Sequence, residues 1–181
     1  DVWAVGAASD GDSMPSAHSQ IQHWNGSSWT PVPAASMPGV WHDLNAVVAI
    51  APNDVWAAGE YFDTLYHGLS LHWDGSSWMQ VPIPGGVSDM YAFAGDNVYA
   101  VGDGVMHWDG ISWTTVELFP AVSSPSLAGI DAAWDCDLWA GGRQFSNGTL
   151  QTFTAHLTPT VPPGDADNDG IADAIDNCPD V

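Results

Sequence analysis

The stretch 165–176, DADNDGIADAID, sets carboxylates at the first, third, fifth, ninth and twelfth positions of a loop: Asp165, Asp167, Asp169, Asp173 and Asp176. Gly170 stands sixth and Ile171 seventh. Acidic groups this dense repel one another unless a hard dication gathers them, and this is the spacing of an oxygen-ligand calcium loop. Gly170 would permit the sharp turn, and Ile171 would contribute its main-chain carbonyl rather than its side chain. The expectation is Ca2+ held by Asp165, Asp167, Asp169, Ile171, Asp173 and Asp176, with an affinity of roughly 10⁻⁴–10⁻³ M. A merely disordered acidic tail has no reason to place glycine sixth and a carboxylate twelfth.

Other groups with chemistry read more plainly. His23, His72, His107 and His156 recur at one place in a repeated phrase, so they are spread around the fold and satisfy local hydrogen bonds rather than converging on a metal. Most tryptophans are locked to the same repeat and read as packing. Trp41 and Trp134 fall outside it, and an off-pattern aromatic on a loop is the better candidate for stacking on a sugar ring. Asn25 and Asn147 open Asn-Gly-Ser/Thr sequons at expected turns, where glycan can attach in a secreted protein. No nucleophile elbow, Cys/His pair or HExxH motif is present. A single arginine cannot build the cationic cluster of a sialidase-like site, and no carboxylate pair is singled out. The chain reads as a non-enzyme.

The charge balance narrows the partners. Asp and Glu total 22 against one basic residue, Arg143, for a formal net charge of −21. Only Glu60 and Glu117 are glutamates; the rest are aspartates, which favour turns, so the acidity sits in loops. Such a surface repels nucleic acid and anionic lipid and attracts divalent cations. No apolar run is long enough to span a membrane. The abrupt start at Asp1 suggests a processed chain or part of a longer precursor, and the composition suits a secreted or surface-displayed protein.

The elements that must position these groups are written as repeats. DVWAVG (1–6), DVWAAG (54–59), NVYAVG (97–102) and DLWAGG (137–142) recur at spacings of 53, 43 and 40 residues, counted from Val2 to Val55, Val98 and Leu138. Each is followed by a segment ending at the repeated histidine, and in three cases by Asn/Asp-Gly and then Ser-Trp. Small-apolar runs at 44–50, 90–95 and 127–133 precede the last three phrases. A unit therefore reads as four short strands: a, the apolar run; b, the Val-Trp-Ala phrase; c, ending His-Trp; and d, starting at Ser-Trp. Asn/Asp-Gly between c and d is a tight type I′ hairpin signal. Strand b is apolar on both alternating faces and so needs cover on both. Four-strand units of this period are those of a β-propeller. The expectation is an all-β propeller of about four blades over 1–157, a Pro-rich linker at 158–164 and a calcium tail at 165–181. Helix is almost absent, the first blade lacks strand a, and the last lacks strand d.

The DVWAVG…HWDGSSWT wording resembles bacterial extracellular propeller repeats, kelch-like in strand pattern, and the tail ending DNCPD resembles the thrombospondin type 3 repeat. That second resemblance implies a partner for Cys178, and Cys136 is the intrachain candidate. Their bridge would contribute roughly 3–4 kcal/mol in the chain-entropy model. Two free thiols or an interchain pair remain the alternatives. The function expected is a secreted or surface structural and interaction module, polymerising by strand complementation between incomplete blades. The alternative is a carbohydrate-binding module of a larger secreted protein.

Overall fold

The computed structural model describes residues 2–9, 17–34, 41–116, 125–132, 137–146 and 148–157, and none of these is helical. β1 (Val2–Ser9), β2 (Ala17–Trp24) and β3 (Trp29–Pro31) form a first sheet; β4 (Trp41–Ala51), β5 (Asp54–Phe62), β6 (Tyr66–Trp73) and β7 (Trp78–Gln80) form a second. The third holds β8 (Val87–Ala94), β9 (Asn97–Gly102), β10 (Gly104–Trp108) and β11 (Trp113–Val116). The fourth holds β12 (Ser126–Ala132), β13 (Leu138–Ser146) and β14 (Thr149–Leu157). Every sheet is an antiparallel meander in chain order. Among the described residues, the first sheet lacks strand a and the fourth lacks strand d, as the repeat wording implies.

Successive sheets stack face to face, with β1 against β4, β4 against β8 and β8 against β12. This propeller-like arrangement follows from the two-faced strands. Val55 and Ala57 of β5 join Ile21, Leu44, Leu69 and Trp78 in the core between the first and second sheets. Trp56 and Ala58, the alternate residues, join Val98, Ala100, Met106 and Trp113 in the next core. Tyr99 and Val101 then face Leu138, Ala140, Phe153 and Leu157. Each covered face removes its apolar side chains from water, which stabilises the stack at about 25 cal/mol per Å².

Strand b meets the next sheet through its aromatic residue. The Trp3 ring lies 5.3 Å from both Trp73 and Trp78, edge-on to the latter. Trp56 repeats this against Trp108 at 4.8 Å and Trp113 at 5.4 Å. Edge-to-face pairs of this kind contribute about 0.5–1.5 kcal/mol each beyond area burial.

The c–d hairpins differ from the expected two-residue type I′ turn. Trp24 pairs with Trp29, Trp73 with Trp78 and Trp108 with Trp113, so four residues form each loop. The reason is a side-chain competitor: Asn25, Asp74 and Asp109 each accept hydrogen bonds from main-chain N–H groups two and three residues ahead. Gly26, Gly75 and Gly110 then take positive φ of 96°, 95° and 86°. Hydrogen bonds from the Ser76 hydroxyl and the Ser77 and Ser76 N–H groups bring the Asp74 carboxyl down to about 2.

Candidate functional site

The repeated histidines hold the sheets. His72 Nε2 lies 2.8 Å from Asp54 Oδ1, His107 Nε2 2.9 Å from Asn97 Oδ1 and His156 Nε2 2.7 Å from Asp137 Oδ1. Each lies against the strand-b aromatic beside it: His72 tilted on Trp56 at 4.4 Å, His107 stacked on Tyr99 at 4.4 Å and His156 stacked on Trp139 at 4.5 Å. They do not converge, and no group of three or more metal-binding side chains occurs among the described residues.

A distinct cluster forms where the second sheet meets the third. The β5–β6 turn is drawn tight by Asp63, whose Oδ1 accepts from the N–H groups of Thr64 and Leu65 and lies 3.2 Å from His67 Nε2. Hydrogen bonds from the Thr64 and Leu65 N–H groups hold the Asp63 carboxyl well below the usual range. This anchored turn places two aromatic rows across the sheet. Trp41 pairs with Phe62 and Phe62 with Tyr66; His42 pairs with Tyr61 and Tyr61 with His67. Tyr66 lies 5.1 Å from Phe62 and 6.0 Å, edge-on, from Trp41, yet stays 67% exposed. Tyr61 and His67 are stacked at 4.9 Å.

Beside these rings a cleft of about 390 Å³ is lined by Tyr61, Tyr66, His67, Gln80 and Asp103 and floored by Gly85 and Gly86. Gly68 is needed here, since a side chain at that position would run into the Gly85 carbonyl. The Gly86 N–H donates to Asp103 Oδ2 at 3.1 Å. Glu60 adjoins from β5, and burial first, then Asp103 and Asp43, push its carboxyl up. A smaller cleft of about 250 Å³ occupies the repeat-equivalent place in the first sheet, lined by Ser19, Gln20, Ile21 and Pro31. In the repeat wording, Ala17 stands where the second sheet has Tyr66.

Of the residues singled out from sequence, Trp41 belongs to this cluster, although it opens β4 rather than lying on a loop. Asn25 sits at the exposed head of a c–d hairpin. Trp134, Asn147, Cys136, Cys178 and the calcium positions Asp165, Asp167, Asp169, Ile171, Asp173 and Asp176 lie outside the described residues, as do the linker and tail. Sequence reasoning missed Tyr61, Tyr66, His67, Gln80 and Asp103. The one signal was YFDTLYH (61–67), an aromatic-rich departure from the repeated wording.

No protein-family model matches the chain, and no curated protein matches it. Among solved structures it is similar to a mutant of the Aleuria aurantia lectin in complex with Fucalpha1-6GlcNAc, at 16% identity and a TM-score of 0.44, over 90% of this chain and 64% of that one. A fucose-specific lectin from Aleuria aurantia, in a mercury-derivative form, matches at 18% identity and a TM-score of 0.44, over 82% of this chain and 55% of that one. The chain thus spans less than two thirds of each lectin's length. The assignment to bacterial kelch-like repeats followed by a thrombospondin type 3 repeat is corrected: no model of either family matches, and the similar structures are lectins.

Proposed function

We propose that the chain is a non-catalytic carbohydrate-binding module built as a propeller-type stack of blades, and that the Tyr66 cleft takes a neutral sugar. The observation that carries this reading is the exposed Tyr66 ring, braced by Phe62 and Trp41, at the mouth of a cleft lined by Gln80, Asp103 and His67. An aromatic face packs on the C–H face of a pyranose, while carboxylate and amide groups accept and donate to its hydroxyls. The volume lies within the ordinary range of about 300–1,000 Å³ for small-molecule sites. A net charge of −21 disfavours anionic ligands and leaves carboxylate acceptors suited to a polyhydroxylated neutral one. A secreted or cell-surface setting accompanies this reading.

A glycan array tests it. Neutral glycans should bind in preference to sialylated or sulfated ones, Tyr66→Ala should weaken binding roughly tenfold, and Trp41→Ala should weaken it less, by loosening the Tyr66 ring. An array without specific signal, or a signal indifferent to Tyr66→Ala, refutes the sugar reading.

The acidic loop supplies a second component, supported by its spacing alone: Ca2+ bound by Asp165, Asp167, Asp169, the Ile171 carbonyl, Asp173 and Asp176. Calorimetric titration with Ca2+ should show a saturable site that Asp169→Ala abolishes. A heat trace identical for the two proteins removes calcium from the account.

A further inference from the structure

We propose that Asn25 is a self-modifying site, which Gly26 and the hydrogen-bond donors around the Asn25 side-chain oxygen convert to aspartate rather than isoaspartate. The only co-reactant is water. The Gly26 main-chain nitrogen attacks Asn25 Cγ and gives up its proton, and the bond from Cγ to Nδ2 breaks as ammonia leaves. Water then opens the cyclic imide. Attack at Cγ breaks the new bond to the Gly26 nitrogen, which takes back a proton, and a carboxylate is left at position 25. Attack at the main-chain carbonyl would instead give isoaspartate.

The geometry that points to this lies in the β2–β3 hairpin, where Asn25 stands exposed between the paired Trp24 and Trp29. Its Oδ1 accepts from the Ser27 N–H at 3.0 Å, the Ser27 hydroxyl at 2.9 Å and the Ser28 N–H at 3.0 Å. Attack at Cγ drives negative charge onto that oxygen, so donors already aimed at it stabilise the tetrahedral state, as an oxyanion hole does. They act twice, when the imide closes at Cγ and when water opens it at the same carbon. Gly26 adds no obstacle. It holds a positive φ of 96°, and nothing stands within 4 Å of where a side chain on it would begin, so its nitrogen and incoming water meet no crowding.

The product already stands elsewhere in the chain. Asp74 and Asp109 hold the same place in their hairpins. Asp74 Oδ1 accepts from the Ser76 N–H at 2.8 Å, the Ser76 hydroxyl at 2.7 Å and the Ser77 N–H at 2.8 Å. Asp109 Oδ1 accepts from the Ile111 N–H at 2.9 Å and the Ser112 N–H at 2.8 Å. These bonds, from the Ser76 hydroxyl first for Asp74 and from the Ser112 N–H first for Asp109, hold both carboxyls below the usual range. Bonds to a charged acceptor are the stronger kind, so conversion to aspartate tightens the hairpin. Isoaspartate would add a methylene to the main chain and disturb the Trp24–Trp29 pairing. The change adds one negative charge to a chain of net charge −21. It is independent of the Tyr66 cleft.

The test is to age the full chain, made in a host that adds no glycan, at mildly alkaline pH in buffer and in guanidinium chloride. Chymotryptic cleavage after Trp24 and Trp29 releases residues 25–29, in which mass spectrometry and an isoaspartate assay score the product. The native chain should convert Asn25 mainly to aspartate. The denatured chain, without the donor cluster, should give mainly isoaspartate, because the main-chain carbonyl of a free imide is the better electrophile. Ser27→Ala removes the hydroxyl and keeps both N–H donors, so it should slow native conversion roughly threefold and leave the denatured rate unchanged. Asn25→Asp should keep the parental circular dichroism and supply the standard with which the native product co-elutes. Isoaspartate predominating in the native chain overturns the proposal. So does an Asn25 that survives in the native chain while the denatured chain converts, or a native rate indifferent to Ser27→Ala.

Discussion

His42 reaches from β4 to the first sheet, where its Nδ1 accepts from the Ser19 N–H at 2.8 Å with the Ser19 hydroxyl 3.0 Å away. A main-chain N–H can donate only to an unprotonated nitrogen, so the neutral ring with hydrogen on Nε2 fits this contact. Burial, then the neighbouring His18, lower the His42 pKa. Tyr61 is its cross-strand neighbour on β5. A folded-state pKa below the unfolded one gives stability that is present above the ordinary imidazole value and lost as pH falls through the folded value. A histidine NMR titration should therefore place His42 below 6.5. Titration at or above that value would contradict the neutral, accepting ring.

At the scale of elements, β5 shows how a strand apolar on both faces commits a sheet to two neighbours. Its Trp56 is 1% exposed and fills the second junction. Trp56→Ala should cost about 3–5 kcal/mol in denaturant unfolding, whereas Trp139→Ala should leave the stability of the isolated chain almost unchanged. Equal losses at the two positions would contradict the face assignments. The same strand shows what was legible in the sequence. Period-two apolarity in DVWAAG, the His-Trp ends and the Asn/Asp-Gly turns sufficed for the strands and for the three-, four-, four- and three-stranded sheets. The Tyr66 cleft was not legible, for two physical reasons. Its rings come from three strands that meet only at the sheet end, in a turn whose wording does not repeat. And β4 starts at Trp41, ahead of the apolar run, because a bulge between Leu44 and Ala46 shifts its register and lets Trp41 pair with Phe62. The calcium loop is the opposite case, legible in spacing and carried by spacing alone.

Across the whole molecule, stacking leaves two kinds of surface. The sheet faces are apolar and recur, so they pack on one another. Among the described residues, the sheet ends carry the turns and the cleft at which the Tyr66 ring stands exposed. The proposed sugar site therefore belongs to an end of the stack. The sugar site is the central claim, and amide chemical-shift mapping on isotopically labelled chain, titrated with a neutral oligosaccharide selected on the array, tests it most directly. The account predicts shifts concentrated at the amides of His67, Gly68, Gln80, Gly85, Gly86 and Asp103, and their loss in Tyr66→Ala. Shifts that cluster instead around Trp139 or Trp29, or a spectrum unmoved by any neutral glycan, would contradict it.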